Sequence, residues 1–196
     1  IFINTTWIGE ILYKGISSNN ISEDDLILVN RDIGAHGATI FAAREGMDMN
    51  SNLKSDCNSL YPQVKALIDS GIKITALRDA TRGGVSAVLN EWAKQSNICI
   101  EVDEEKIPLC DEVRGICEML GFEATNLANE GTFVLAIPKD DVVKAIEVLH
   151  GFPEASNACI IGKVTQQYNK KVILNSSWGT KRFLDTPTGE LLPRIC

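Results

Sequence analysis

Residues 72–102 constrain the fold more than any other stretch. A strand-like run at 72–77 leads into Arg78-Asp-Ala-Thr-Arg-Gly-Gly84. Val85, Val88, Leu89, Trp92 and Ala93 then recur at helical spacing, and a second strand-like run follows at 98–102. This is the clearest amphipathic helix of the chain, and it sits between two strands. The same alternation continues on both sides. Residues 1–8 and 26–30 read as strands, and His36 to Arg44 as a short helix closed by Gly46. Leu60, Val64, Leu67 and Ile68 mark a helix that tolerates Pro62 in its first turn. Val113, Ile116, Cys117 and Leu120 mark another, stopped by Gly121. A strand at 132–137 ends at Pro138, and Val142, Ile146 and Leu149 mark a further helix. The last third turns to strands at 158–165, 171–175 and 180–184, with Asn175-Ser-Ser177 as a turn. Strands and helices that alternate in this way predict an α+β fold, although their order leaves open whether the sheet is parallel or mixed. We expect one domain over residues 1–184 and a polar, turn-rich tail over 185–196.

Composition narrows the function. With 196 residues the chain can bury a proper core without a disulfide scaffold. It begins with Ile and shows no basic, apolar leader, so it reads as part of a longer protein. Charges break every apolar run before it is long enough to cross a bilayer. A net charge of −7 and a pI near 4.9 argue against a nucleic-acid binder. Six cysteines without a C-x-x-C pair, and only two histidines, support neither a zinc framework nor a redox dithiol, and no metal ligand set is expected. Unpaired cysteines fit a reducing, cytoplasmic setting. Cys99 and Cys159 lie in apolar strand-like runs and Cys117 on a helix stripe, where a thiol packs as a small hydrophobe. Cys196, at the end of Pro193-Arg-Ile-Cys196, is the odd one. A sulfur on a tether can carry an activated carbon group once it is a thiolate. Arg194 favours the thiolate and a neighbouring carboxylate disfavours it, so the direction of the net shift is left open.

Three polar clusters stand where a core would not need them. Arg78–Gly84 joins a strand to the strongest helix, where exposed amides and two arginines can hold an anion. Its bland reading is an Asp or Thr cap with glycines for a tight turn. Asn126-Leu-Ala-Asn-Glu130-Gly131 precedes a wholly apolar strand, and Glu130 there is a candidate general base or simply a loop glutamate. Gly34-Ala-His36-Gly37 is another glycine-rich strand-to-helix junction. Its His36 is either a catalyst or a packing residue.

Taken together, Arg78–Gly84, Ala128-Asn-Glu-Gly131, Val113-Arg-Gly-Ile-Cys-Glu-Met-Leu-Gly121, Leu53-Lys-Ser-Asp56 and Pro193–Cys196 resemble the HypE family, the carbamoyl dehydratases of nickel–iron hydrogenase maturation. The resemblance runs from end to end but covers only the C-terminal part of that family, which belongs to the PurM-like ATP-binding superfamily. It implies a PurM-like C-terminal domain with a mixed sheet covered by helices. It also implies that Cys196 accepts a carbamoyl group from the carbamoyltransferase HypF. ATP-dependent dehydration then yields a thiocyanate, whose cyano group passes to iron on a HypC–HypD scaffold. By the same resemblance Cys196, Glu130 and Arg82 are the catalytic candidates, with Glu130 as the base. Asp79, Thr81, Gly83, Gly84 and His36 are the candidates for binding ATP. ATP and magnesium would be held largely by the absent N-terminal domain, which would also make the homodimer, leaving this span monomeric. Trp7 and Ala35 depart from the family pattern, at a position expected to be small and at one expected to be acidic. The rival readings are a non-enzymatic carrier or docking domain, and another PurM-like ATP-dependent synthase acting on a small amide or selenium substrate. The cysteine at 196 argues against the last.

Overall fold

The computed structural model describes residues 4, 6, 8–11, 13–47 and 53–186. Trp7 and Cys196 lie outside them, as does most of the tail. Of the expected strand over 1–8, the described residues Asn4, Thr6 and Ile8 belong to neither strand nor helix.

The elements are β1 (Leu26–Val29), α1 (Ala35–Arg44), α2 (Tyr61–Asp69), β2 (Ala76–Asp79), α3 (Gly84–Ser96), β3 (Cys99–Asp103), α4 (Asp111–Leu120), β4 (Phe133–Ile137), α5 (Val142–His150), β5 (Cys159–Thr165), β6 (Lys171–Asn175) and β7 (Lys181–Phe183). The strands form one seven-stranded sheet in the order β2-β4-β1-β5-β3-β6-β7. Only β3 and β6 pair in parallel, and every other neighbour is antiparallel, so the sheet is mixed.

Alternation along each strand sorts the apolar residues onto two faces. Ile27 and Val29 of β1 join Val134 and Ala136 of β4 under α3, whose Val85, Val88, Leu89, Trp92 and Ala93 pack down on them. Leu28, Phe133, Leu135 and Ile137 point the other way, toward Leu67 of α2 and Ala145 and Leu149 of α5. β4 lies between two strands and two helical layers, which is why all five of its residues are buried. A smaller core joins α1 to α4 through Ala38, Ala42, Val113, Ile116 and Leu127. The free edge at β7 is three residues long and carries Lys181 and Arg182, a composition that discourages pairing with another chain.

A second element departs from expectation. The strand predicted at 72–77 runs instead from Ala76 to Asp79. Its partner β4 ends at Ile137, followed by Pro138, so Ile72 and Ile74 have no ladder to join. They serve as core residues beneath α2 and α5. Arg78 and Asp79 are therefore the last residues of a strand, not a loop after it.

Candidate active site

β1 and β2 both run antiparallel to β4, so the segments that leave β1 and β2 and the segment that enters β4 meet at one end of the sheet. These are the three polar clusters. Asn129, fully buried, stands where they cross. Its Oδ1 accepts from the Gly34 N–H at 2.7 Å, and its Nδ2 donates to the Ala80 and Leu127 carbonyls at 2.8 and 3.1 Å. Its own N–H also reaches the Ala80 carbonyl, at 3.1 Å. One amide side chain thus binds the loop after β1 to the loop after β2, and Glu130 is the next residue along.

The segment 53–58 closes the same end. The buried carboxylate of Asp56 accepts from the N–H groups of Glu130 and Gly131 and from the Thr132 hydroxyl, at 3.1, 2.9 and 2.9 Å. Arg31 Nη1 donates to the Asp56 carbonyl at 3.3 Å. Asn30 completes the frame, donating to the Gly131 carbonyl at 3.2 Å and accepting from the Phe133 N–H at 2.8 Å. Gly131 can only be glycine, because a Cβ there would sit 1.9 Å from the Asp56 carbonyl oxygen.

α3 is entered through Gly83 in the left-handed region, with no side-chain cap. Neither Asp79 nor Thr81 caps it, so the bland reading of this loop as an Asp or Thr cap does not hold. Gly84 follows at φ +60°, and a Cβ on it would meet the Thr125 and Leu127 carbonyl oxygens at 2.4 and 2.5 Å. Asn126 Oδ1 and Thr125 Oγ1, on the segment packed over Gly84, are buried without a hydrogen-bond partner among the described residues. Of the two arginines, Arg82 is exposed. Arg78 is ion-paired with Glu91 of α3, which leaves it less available to an anion than the sequence implies.

The other candidates fall as follows. Glu130 and Asp79 are exposed, Thr81 and Gly83 half-buried and Gly84 buried. His36, the second residue of α1, has Nδ1 2.8 Å from Ser55 Oγ, so one ring nitrogen is engaged with the 53–58 segment. Ala35 opens α1 and packs against the α1–α4 core. The loops of Glu130 and of Asp79–Gly84 are joined directly, and that of His36 through Gly34 and Ser55.

The thiols divide sharply. Burial, with Asp32 second, pushes the Cys159 thiol up to about 11. Burial likewise raises Cys110 and Cys117. Thiols held protonated are poor nucleophiles. Cys99 is buried outright, but Cys57 is exposed, so among the described cysteines an open thiol exists that the sequence does not single out. Asn129, Asp56 and Asn30 were likewise missed as anchors, because their partners lie up to 103 positions away. Among the described residues no group of three or more His, Cys, Asp or Glu is placed to hold a metal ion. None of the described helices is long and apolar enough to cross a membrane.

A mixed sheet whose strand ends gather a glycine-entered helix and an Asn-Glu-Gly loop defines a class. The chain belongs to the AIR synthase related protein family, C-terminal domain, which matches residues 22–175 and has the PurM-like fold. Within that class it is similar over its whole length to the carbamoyl dehydratase HypE of Escherichia coli, with 42% identity across 58% of that protein. It is 41% identical to a putative hydrogenase expression/formation protein of Methanocaldococcus jannaschii, again across 58% of it. The chain thus spans under two thirds of the curated relatives it matches. Among solved structures, hydrogenase maturation protein HypE superposes on 96% of the chain and 61% of its own, with a TM-score of 0.91 and 35% identity. HypE in complex with ATP gives 0.89 and 32% identity, over 93% of this chain and 57% of its own. A HypE–HypF complex gives 0.84 and 36%, over 90% and 58%.

Proposed function

We propose that this chain is the C-terminal part of an ATP-dependent carbamoyl dehydratase of hydrogenase maturation, with Cys196 as the covalent carrier. The observation that carries the reading is the seating of residues 184–186, the last described ones before that cysteine, on α3. Past β7, the Leu184 carbonyl accepts from Asn90 Nδ2 and the Asp185 carbonyl from Ser86 Oγ, both at 2.9 Å. Thr186 Oγ1 accepts from Lys94 Nζ at 3.0 Å, so residues 184–186 are fixed along α3, whose first residues follow Arg82 and Gly83 beside the Glu130 loop. Likeness to HypE proteins solved with ATP and with HypF supports the same reading.

The chemistry follows from the groups present. HypF is the donor of the carbamoyl group, and the Cys196 thiolate takes it at its carbonyl carbon to form an S-carbamoyl adduct. Bound ATP, held mostly by the preceding domain of the full protein, supplies the phosphoryl group that makes the carbamoyl oxygen a leaving group. Arg82 and the uncapped first turn of α3 hold the phosphate charge. Glu130 removes protons from the carbamoyl nitrogen, so that the carbon–oxygen bond breaks as the nitrile forms and the product is a thiocyanate on Cys196. Asp79, Thr81, Gly83, Gly84 and His36 line the nucleotide side. The cyano group leaves for iron on the HypC–HypD scaffold. Residues 1–184 form the socket and 185–196 the arm, in a reducing cytoplasm where the described cysteines stay as free thiols.

Intact-mass analysis of the full-length protein with HypF, carbamoyl phosphate and ATP tests this. The expected result is a carbamoyl-sized adduct on Cys196 that then loses water, absent in Cys196→Ala and arrested before water loss in Glu130→Gln. An adduct on Cys57, or none, overturns the carrier assignment.

A further inference from the structure

Glu130 combines two properties that rarely occur together. Its side chain is exposed, while its backbone is gripped on every side. Its N–H donates to Asp56 Oδ1 at 3.1 Å, and its carbonyl accepts from the Asn58 N–H at 3.4 Å. The next peptide is held from both flanks, the Gly131 N–H by Asp56 Oδ2 at 2.9 Å and the Gly131 carbonyl by Asn30 Nδ2 at 3.2 Å. A residue that only fills a loop needs no such mount. A base that must meet a small substrate at a fixed distance does, since misplacement by about 1 Å costs on the order of 100-fold in rate.

Asp56 is the centre of that mount. It is 3% exposed, and a buried carboxylate is tolerated only when its oxygens are satisfied. Its three side-chain partners all belong to residues 130–132, so its hydrogen bonding is spent on this loop and not on its own segment. Its main chain is fixed in turn by Arg31 Nη1, and its neighbour Ser55 is bonded to His36. The contact is so close that Gly131 has no room for a side chain.

We propose that Asp56 is a positioning residue for dehydration, acting through Glu130 by fixing the Glu130–Gly131 peptide. This rests on the reading of Glu130 as the base. Asp56 touches no reacting atom, so loss of its carboxylate leaves the carbamoylation of Cys196 intact and slows only the step that Glu130 serves.

The test is single-turnover water loss from pre-carbamoylated full-length protein, comparing Asp56→Asn, Glu130→Gln and the double variant. Asp56→Asn is expected to slow dehydration about 100-fold at normal carbamoyl loading. The double variant is expected to be no slower than Glu130→Gln alone, because two residues that act as one unit do not add. Independent multiplication of the two effects, as a general loss of structure would give, overturns the proposal. So does normal dehydration by Asp56→Asn while Glu130→Gln stalls, and that outcome leaves the base assignment standing. Normal dehydration by Glu130→Gln instead removes the base reading itself. Should Asp56→Asn not fold, Thr132→Val removes one of the three bonds within a buried, near-isosteric site. It is expected to slow dehydration about tenfold with the same lack of additivity toward Glu130→Gln, and an unchanged rate overturns the proposal.

Discussion

The two glycine-rich junctions, Gly34–Gly37 into α1 and Arg82–Gly84 into α3, look alike in sequence and behave differently. Both helices start from a left-handed glycine, Gly34 at φ 82° and Gly83 at φ 72°, and neither has a side-chain cap. At α1 the protein fills the entrance itself. Asn129 takes the Gly34 N–H, the Ala128 carbonyl takes the Gly37 N–H at 2.9 Å, and His36 is tied to Ser55. At α3 Arg82 stands exposed, and the tail segment lies against Ser86 and Asn90. The same local signal therefore produces one junction tied by hydrogen bonds to neighbouring loops and one that leaves an arginine facing solvent. Apart from Ser55, the residues that make the difference lie about 90 to 100 positions away in the chain.

Substitutions can break this contrast at several strengths. Gly84→Ala forces a Cβ into backbone oxygens at 2.4 and 2.5 Å, so it should cost at least about 4 kcal/mol. Gly37→Ala meets its nearest atoms at 3.0 and 3.1 Å with ordinary helical backbone, and should cost about 1–3 kcal/mol. Thermal melts followed by circular dichroism separate the two, and equal losses would mean that the entrances are equally crowded. Asn129→Ala unties both loops at once and leaves the Gly34 N–H buried without its acceptor. It should cost about 3 kcal/mol, read as roughly 6–12 °C in the melting temperature. A shift under 2 °C would show that the loops hold without the clamp. The smallest effect on stability separates the candidates themselves. His36→Ala loses a hydrogen bond worth about 1 kcal/mol. Arg82→Ala, at an exposed position, should stay within about 0.5 kcal/mol of the parent and yet slow ATP-dependent dehydration about 100-fold in the full-length protein. If His36→Ala slows dehydration as much and Arg82→Ala does not, the roles of the two junctions are reversed.

Much of the fold could be read from spacing. Val85 to Ala93, Val113 to Leu120 and the apolar run before Pro138 each announced an element found in place. The strand at 72–77 misled because Ile72 and Ile74 alternate like strand residues, whereas pairing depends on how far β4 extends. The candidate site was legible as three clusters but not as one place. Glycines and a glutamate flag their own loops, whereas the clamps Asn129, Asp56 and Asn30 look like ordinary loop residues until antiparallel pairing brings their partners in. Arg78 misled for the same reason, since Glu91 lies on the helix beyond the turn. The exposure of Cys57 had no signal in the sequence.

The anchorage of Leu184 and Asp185 on α3 sets a geometric horizon for the chain beyond it. Ten residue-to-residue steps lead from Thr186 to Cys196, and, however they are arranged, they span at most about 36 Å. In the carrier role proposed for it, the Cys196 thiol is a leashed reagent whose territory is a sphere centred on Thr186 beside α3. In that role, whatever loads the sulfur and whatever unloads it must enter the sphere, so exchange becomes a matter of visitors queuing at a fixed post.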